Sequence, residues 1–146
     1  MRTIRWATAA AIISLFTLAA GPALAQSASW DSEKVTQIAE KLAEAVKDLK
    51  DTMRKAPDQP PGGPRRAQFS AREDVRLLSN TTQHLAVQLK GGSGHDETWQ
   101  VYRRIETLRR DAEENGRKAM ISDQTMQKIT PVRDLLTELA PYYADE

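Results

Sequence analysis

The sequence predicts an all-α protein: an antiparallel up-down-up-down four-helix bundle that follows a cleaved signal peptide. Three observations carry that prediction. Apolar residues recur at alternating spacings of three and four through four separate segments, the period of a helix that buries one face. Proline, glycine or capping residues stand between the segments, as helix ends require. Nowhere do apolar and polar residues alternate between hairpin turns in the manner of strands.

The first 25 residues read as an export signal. Arg2 and Arg5 form a short positive region, residues 6–20 carry no charge, and Gly21-Pro22 breaks any helix. Ala23-Leu24-Ala25 supplies the small-x-small pattern that signal peptidase reads, so cleavage is expected after Ala25. About 15 apolar residues fall short of the roughly 20 needed to span a bilayer. Removing 25 of the 146 residues leaves 121, one domain (26–146) able to bury a core without metal or disulfide support.

The first helix is expected over about 31–56. Asp31 is a suitable N-cap, and Trp30 and Val35 form a hydrophobic staple across it. Val35, Ile38, Leu42, Ala45, Leu49 and Thr52 make the seam, widened by Val46 and Met53, and Asp51 is spaced to pair with Lys55. The Pro/Gly-rich loop 57–64 stops this helix. Ser70 and Glu73 read as a capping box opening the second helix, about 70–90. Its seam is Ala71, Val75, Leu78, Thr82, Leu85 and Leu89, and Gly91 stands where a left-handed cap is wanted.

The third helix, about 96–120, has the seam Val101, Ile105, Leu108, Ala112, Asn115 and Ala119. It is read through Gly116 because Glu113–Arg117 and Glu114–Lys118 are acid-first i,i+4 pairs spanning the glycine. Ser122 caps the fourth helix, about 123–143, with Ile121 and Met126 as its staple. Ile129, Val132, Leu136, Leu139 and Tyr143 form the last seam, and Pro131 should kink or restart the helix.

This connectivity gives the bundle unlike ends. Met53, Met120 and Met126 gather at one end with Arg54, Lys55, Arg65, Arg66, Arg72, Arg117 and Lys118. The other end collects Trp30, Trp99, Tyr102, Tyr142, Tyr143, both histidines and several acids.

Composition removes whole classes of chemistry. With no cysteine there is no disulfide, thiolate zinc site, c-type haem, Cys nucleophile or lipid-modified cysteine. Loss of Arg2 and Arg5 takes Lys+Arg from 21 to 19 against 20 Asp+Glu, turning +1 into −1, so no global charge favours nucleic acid. No nucleophile, base and acid stand in a recognisable arrangement, and the glycines at 91–94 lack the Lys-Ser/Thr of a phosphate loop. No catalytic residue is expected. His84, His95, Asp96 and Glu97 are weak metal candidates without ligand spacing. Met53 and His84 would lie about 20 Å apart along the bundle, too far to share a haem iron. No cofactor is expected.

Binding candidates are Arg65, Arg66, Arg72, Arg117 and Lys118 at the basic end, with the off-seam aromatics Trp99 and Tyr142. The expected protein is an exported, periplasmic or secreted, non-enzymatic accessory factor, an adaptor or stress-related component. Its partner would be an envelope protein or an anionic envelope surface, with no nucleic acid and no transmembrane segment after cleavage. Spare apolar positions leave room for a homodimer. The alternative is a small-ligand or metal-ion carrier using the His/acid/aromatic end.

Overall fold

A computed structural model of the chain describes residues 28–144; the leader and its cleavage site lie outside the described residues. The protein is all-helical, and no strand occurs among the described residues. Helices α1 (Ser32–Lys55), α2 (Gly63–Lys90), α3 (His95–Ala119) and α4 (Asp123–Leu139) are followed by a 3-10 turn over Ala140–Tyr142. Helix α1 packs against both α2 and α4, and α2 also packs against α3.

Side chains that cross between helices join opposite ends. Lys90, the last residue of α2, pairs with Glu40 in the first half of α1 at 3.1 Å. Asn115 late in α3 donates to Asp74 early in α2 at 2.7 Å. Lys128 near the start of α4 meets Asp48 late in α1 at 3.5 Å. These neighbours therefore run antiparallel. Helices α3 and α4 are joined by residues 120–122 alone yet have little direct contact, and a cleft opens between them.

The core follows the expected seams with two rotations. On α1 the buried set is Val35, Ile38, Ala39, Leu42, Val46, Leu49 and Met53, with Ala45 and Thr52 half-buried. The stripe is wide because α1 serves two neighbours. On α3, Tyr102 and Gly116 are buried while Val101, Ala112 and Asn115 are only half-covered. That helix leans on α2 alone, so its buried line turns toward α2. Each fully buried Leu, Ile or Val contributes about 1.5–3 kcal/mol.

Helix ends show where local chemistry is decided. Asp31 caps α1 by accepting the Lys34 N–H at 3.0 Å, and Ser122 caps α4 by accepting from Thr125 at 3.3 Å. Helix α2, however, begins at Gly63, seven residues before the expected start. Pro64 sits in its first turn, where a missing N–H leaves no helical bond unmade. Ser70 is thus inside the helix and caps nothing, and Glu73 accepts from Arg76 Nε at 2.9 Å instead. At the other end the left-handed residue is Gly92 (φ +93°), not Gly91. Ser93 N–H reaches Gln88 C=O and Gly92 N–H reaches Leu89 C=O, both at 3.0 Å, the two bonds of a Schellman motif.

Helix α3 runs through Gly116 and ends on Met120, whose φ of 53° is left-handed without being glycine. Helix α4 runs through Pro131 without a break and ends earlier than expected, at Leu139. The ion pairs also differ from the sequence pattern. Asp51 meets Arg54 at 3.5 Å rather than Lys55, and Glu113 meets Arg109 and Arg133 rather than Arg117. Glu114–Lys118 forms as expected, at 2.7 Å.

The corner between α1 and α2 is held by two α2 side chains. Buried Gln68 donates to Pro57 C=O at 2.8 Å and accepts from Gln59 N–H at 2.9 Å. Gln68→Ala should lower stability by about 1–3 kcal/mol, the cost of leaving such groups unpaired, read as a lower melting temperature. Met120→Gly should act oppositely. It relieves a left-handed residue worth about 1–2 kcal/mol, partly offset by a more flexible unfolded chain.

Candidate functional site

The basic end is assembled from the α1 C-terminus, the loop to α2 and the first turns of α2. Arg72 is the least available of its cations. Its Nε donates to Met53 C=O at 3.1 Å and Nη2 to Ala56 C=O at 2.7 Å, and Nη1 meets Asp58 Oδ1 at 2.7 Å. This guanidinium closes the C-terminus of α1, where carbonyls would otherwise lack donors. Arg72 is therefore a structural clamp rather than a docking residue.

Arg54, Lys55, Arg117 and Lys118 all lie in last turns of α1 and α3. A positive charge there complements the negative pole of a helix. Arg65 and Arg66 have no such justification. They occupy the first turn of α2, which contains no acid and whose cap, Gly62, offers no side-chain hydrogen bond. Two cations thus stand at the positive pole of a helix, an arrangement that local electrostatics disfavours. Arg65 has one long contact, 4.0 Å to Asp58, and Arg66 forms no ion pair among the described residues.

Phe69 lies beside them. It is 72% exposed and shares a shallow surface recess with Pro61, Arg65, Arg66 and Ser70. Met120, at the C-terminus of α3, is 73% exposed. The recess at the start of α2 is therefore amphiphilic, with Arg65 and Arg66 beside the unburied Phe69, while Met120 lies on a separate recess with Gln68 and Arg72. The sequence pattern marks the two arginines but not Gln68 and Phe69, which fall between the loop at 57–64 and the expected helix start at 70. Counting the helical period back from Ala71 and Val75 reaches Gln68 and would have found it.

The opposite end is filled by its own rings. Tyr102 and Tyr143 stack with centroids 4.2 Å apart at 7°, and His95 lies 5.5 Å from Tyr143. Trp30 meets both His95 and Tyr143 edge-on at 5.5 Å. Thr98 donates to Gly94 C=O at 2.8 Å, and its hydroxyl also shares a 2.8 Å hydrogen bond with the Tyr143 hydroxyl. The off-seam aromatics are engaged as well: Trp99 lies 6.3 Å from Tyr102 with Arg103 over its face, and Lys34 lies over Tyr142.

The metal candidates do not converge. His95 Nδ1 contacts Asp96 at 2.8 Å, while Glu97 accepts from Gly94 N–H at 2.8 Å. His84 lines a separate shallow surface with Asn80, Gln100 and Arg104. Among the described residues no group of three or more His, Asp or Glu is placed to hold a metal ion. No described helix is long and apolar enough to cross a membrane. Compared with known protein families, curated proteins and solved structures, the chain matches none of them.

Burial pushes the Tyr102 hydroxyl up to about 12, with Glu106 adding to the rise. Burial also raises Tyr143, against its hydrogen bond with Thr98. Both groups are neutral in the fold at pH values where the unfolded chain ionises. The contribution of Tyr102 to stability is complete below about pH 10 and is lost as pH rises toward about 12, and that of Tyr143 is lost in the same direction. Ultraviolet titration of phenolate should show these two tyrosines ionising late and together with unfolding. Tyr143→Phe should lose part of that late absorbance.

Proposed function

We propose that this chain is an exported, non-enzymatic accessory protein that docks on an anionic envelope surface through the start of α2. The observation that carries the reading is Arg65 and Arg66 at the unfavourable pole of α2 beside an exposed Phe69. Cations placed against their own helix dipole gain from an external anion, and an exposed aromatic gains from the apolar boundary beneath lipid headgroups. In this reading the leader delivers an up-down-up-down bundle to the periplasm or outside the cell, cleaved after Ala25. The proposed surface is held rigidly by the Gln68 and Arg72 clamps, which keep the α1–α2 corner in one shape.

Vesicles separate this from a merely solvated charged end. Binding to phosphatidylglycerol vesicles should exceed binding to phosphatidylcholine vesicles and should weaken as salt rises. Each basic residue near an anionic surface is worth about 1 kcal/mol, so Arg65→Ser with Arg66→Ser should weaken partitioning about 30-fold. Phe69→Ser should weaken it further, with Arg72 left in place to preserve the fold. Equal binding to both vesicle types, or an unchanged double variant, would sink the reading.

A further inference from the structure

The α3–α4 cleft presents a second and chemically different feature. Its floor is apolar, made by Leu49 and Met53 of α1 with Val75 and Leu78 of α2, and it encloses about 80 Å³. Ile129 of α4 lies on the wall, half-buried although its position is on the helix seam. A packed bundle would close such a gap, because interiors tolerate few voids larger than a water.

One wall contains a residue that weakens its helix, and the other is flanked by one. Gly116 is buried within α3, and a Cβ built there would meet only the Ile121 side chain, Cδ1 at 3.8 Å and Cγ2 at 4.0 Å, both ordinary contacts. Alanine would fit and would favour the helix, so close packing does not demand glycine. What the missing side chain leaves is open space in the cleft. Across it, α4 carries Pro131 between the lining residues Ile129 and Val132. Departures from local helix rules concentrate at functional sites.

The mouth is charged in a specific way. Glu113 accepts from Arg109 Nη1 at 3.2 Å and from Arg133 Nε, across the cleft, at 3.0 Å. Arg109 is shared with Glu106 at 3.0 Å. Arg117 also lines the cleft and forms no ion pair among the described residues. The lining holds three guanidiniums and one carboxylate, Glu113. Outside it Glu106 is bonded to Arg109 and Glu114, the acid nearest in charge to Arg117, is bonded to Lys118, so Arg117 has no close carboxylate of its own beside the apolar floor.

We propose that the α3–α4 cleft is a binding site for a short-chain aliphatic monocarboxylate, its chain on the Leu49–Leu78 floor and its carboxylate on Arg117 and Arg133. The enclosed volume is about half the roughly 150 Å³ cavity that takes benzene. It therefore holds only the far end of a short chain, whose remainder and carboxylate lie in the open mouth, and a long acyl chain is not accommodated. Guanidinium groups suit a planar carboxylate because both its oxygens can be bonded at once. The site is separate from the α2 face and does not depend on the docking reading.

Hexanoate is the probe, with acetate and 1-hexanol as partners that lack the chain and the charge. A ligand that binds only the folded state raises the melting temperature by linkage. Hexanoate should raise it saturably and perturb the amide resonances of Gly116 and Ile129, whereas acetate and hexanol should do so at least tenfold more weakly. Gly116→Leu should fill the cleft and abolish the response. Arg117→Gln, at an exposed position, should keep the ligand-free melting temperature and weaken hexanoate about tenfold, which keeps the test decisive if the leucine variant does not fold. Absence of a saturable hexanoate response in the unaltered chain overturns the proposal, as does equal binding of hexanol or undiminished binding by Arg117→Gln.

Discussion

Helix α4 is packed from one side, and much of the rest of the molecule depends on that constraint. It rests on α1, while its chain neighbour α3 rests on α2. The two are locked together at the aromatic end, where Tyr143 just beyond α4 stacks on Tyr102 of α3. Toward the other end the link is the short connection through left-handed Met120 and the cross-cleft bond from Arg133 to Glu113. The α3–α4 seam is therefore tied at both ends, with a wedge of open space between them bordered by Gly116, Met126 and Ile129. Met126, nominally a staple residue, is consequently nearly half exposed on the cleft. Burial of Glu113 works against its charge, but hydrogen bonds and charge from Arg133 and Arg109 outweigh it and hold the carboxyl below the usual range. The tie across the wedge is thus strongest when that carboxylate is ionised.

The α1–α2 corner obeys the opposite rule. A loop rich in proline cannot supply its own N–H donors, so the carbonyls at the end of α1 and in the loop are met by side chains projecting from α2. Gln68 and Arg72 stand four residues apart, on one helical face, and between them reach Met53, Ala56, Pro57 and Gln59. The molecule thus pairs a corner fixed by polar bonds with a seam left partly open.

Much of the architecture is legible in the sequence because it depends on period and punctuation. Four helices, the caps at Asp31 and Ser122, and the glycine turn after α2 all follow from local residue chemistry. The start of α2 was misread for a physical reason: Ser70 and Glu73 match a capping box, but the clamp made by Gln68 and Arg72 extends the helix to Pro64. A local motif lost to bonds across a sequence separation of 9 to 19 residues. The same limit governs the charged pairs. Glu113 is spaced for Arg117, yet Arg133, twenty residues on, draws it across the cleft. Sequence spacing describes one helix at a time; which partner wins is decided between helices. The cleft itself is not legible for that reason, since Gly116 belongs to α3 and Ile129 and Val132 to α4, and spacing within one helix does not say that all three line one space.

The chain enters and leaves the bundle at a single point. Ala28 donates its N–H to Pro141 C=O at 2.9 Å, beside the ring cluster that Trp30 and Tyr143 share. An even number of antiparallel helices brings the two ends together, and this bond ties them. Any domain or label fused at either side of residues 28–144 therefore emerges from the aromatic pole, with the length of the bundle separating it from Arg65, Arg66 and Phe69. A surface-attached molecule would hold Ala28 and Ala144 on the side away from that surface.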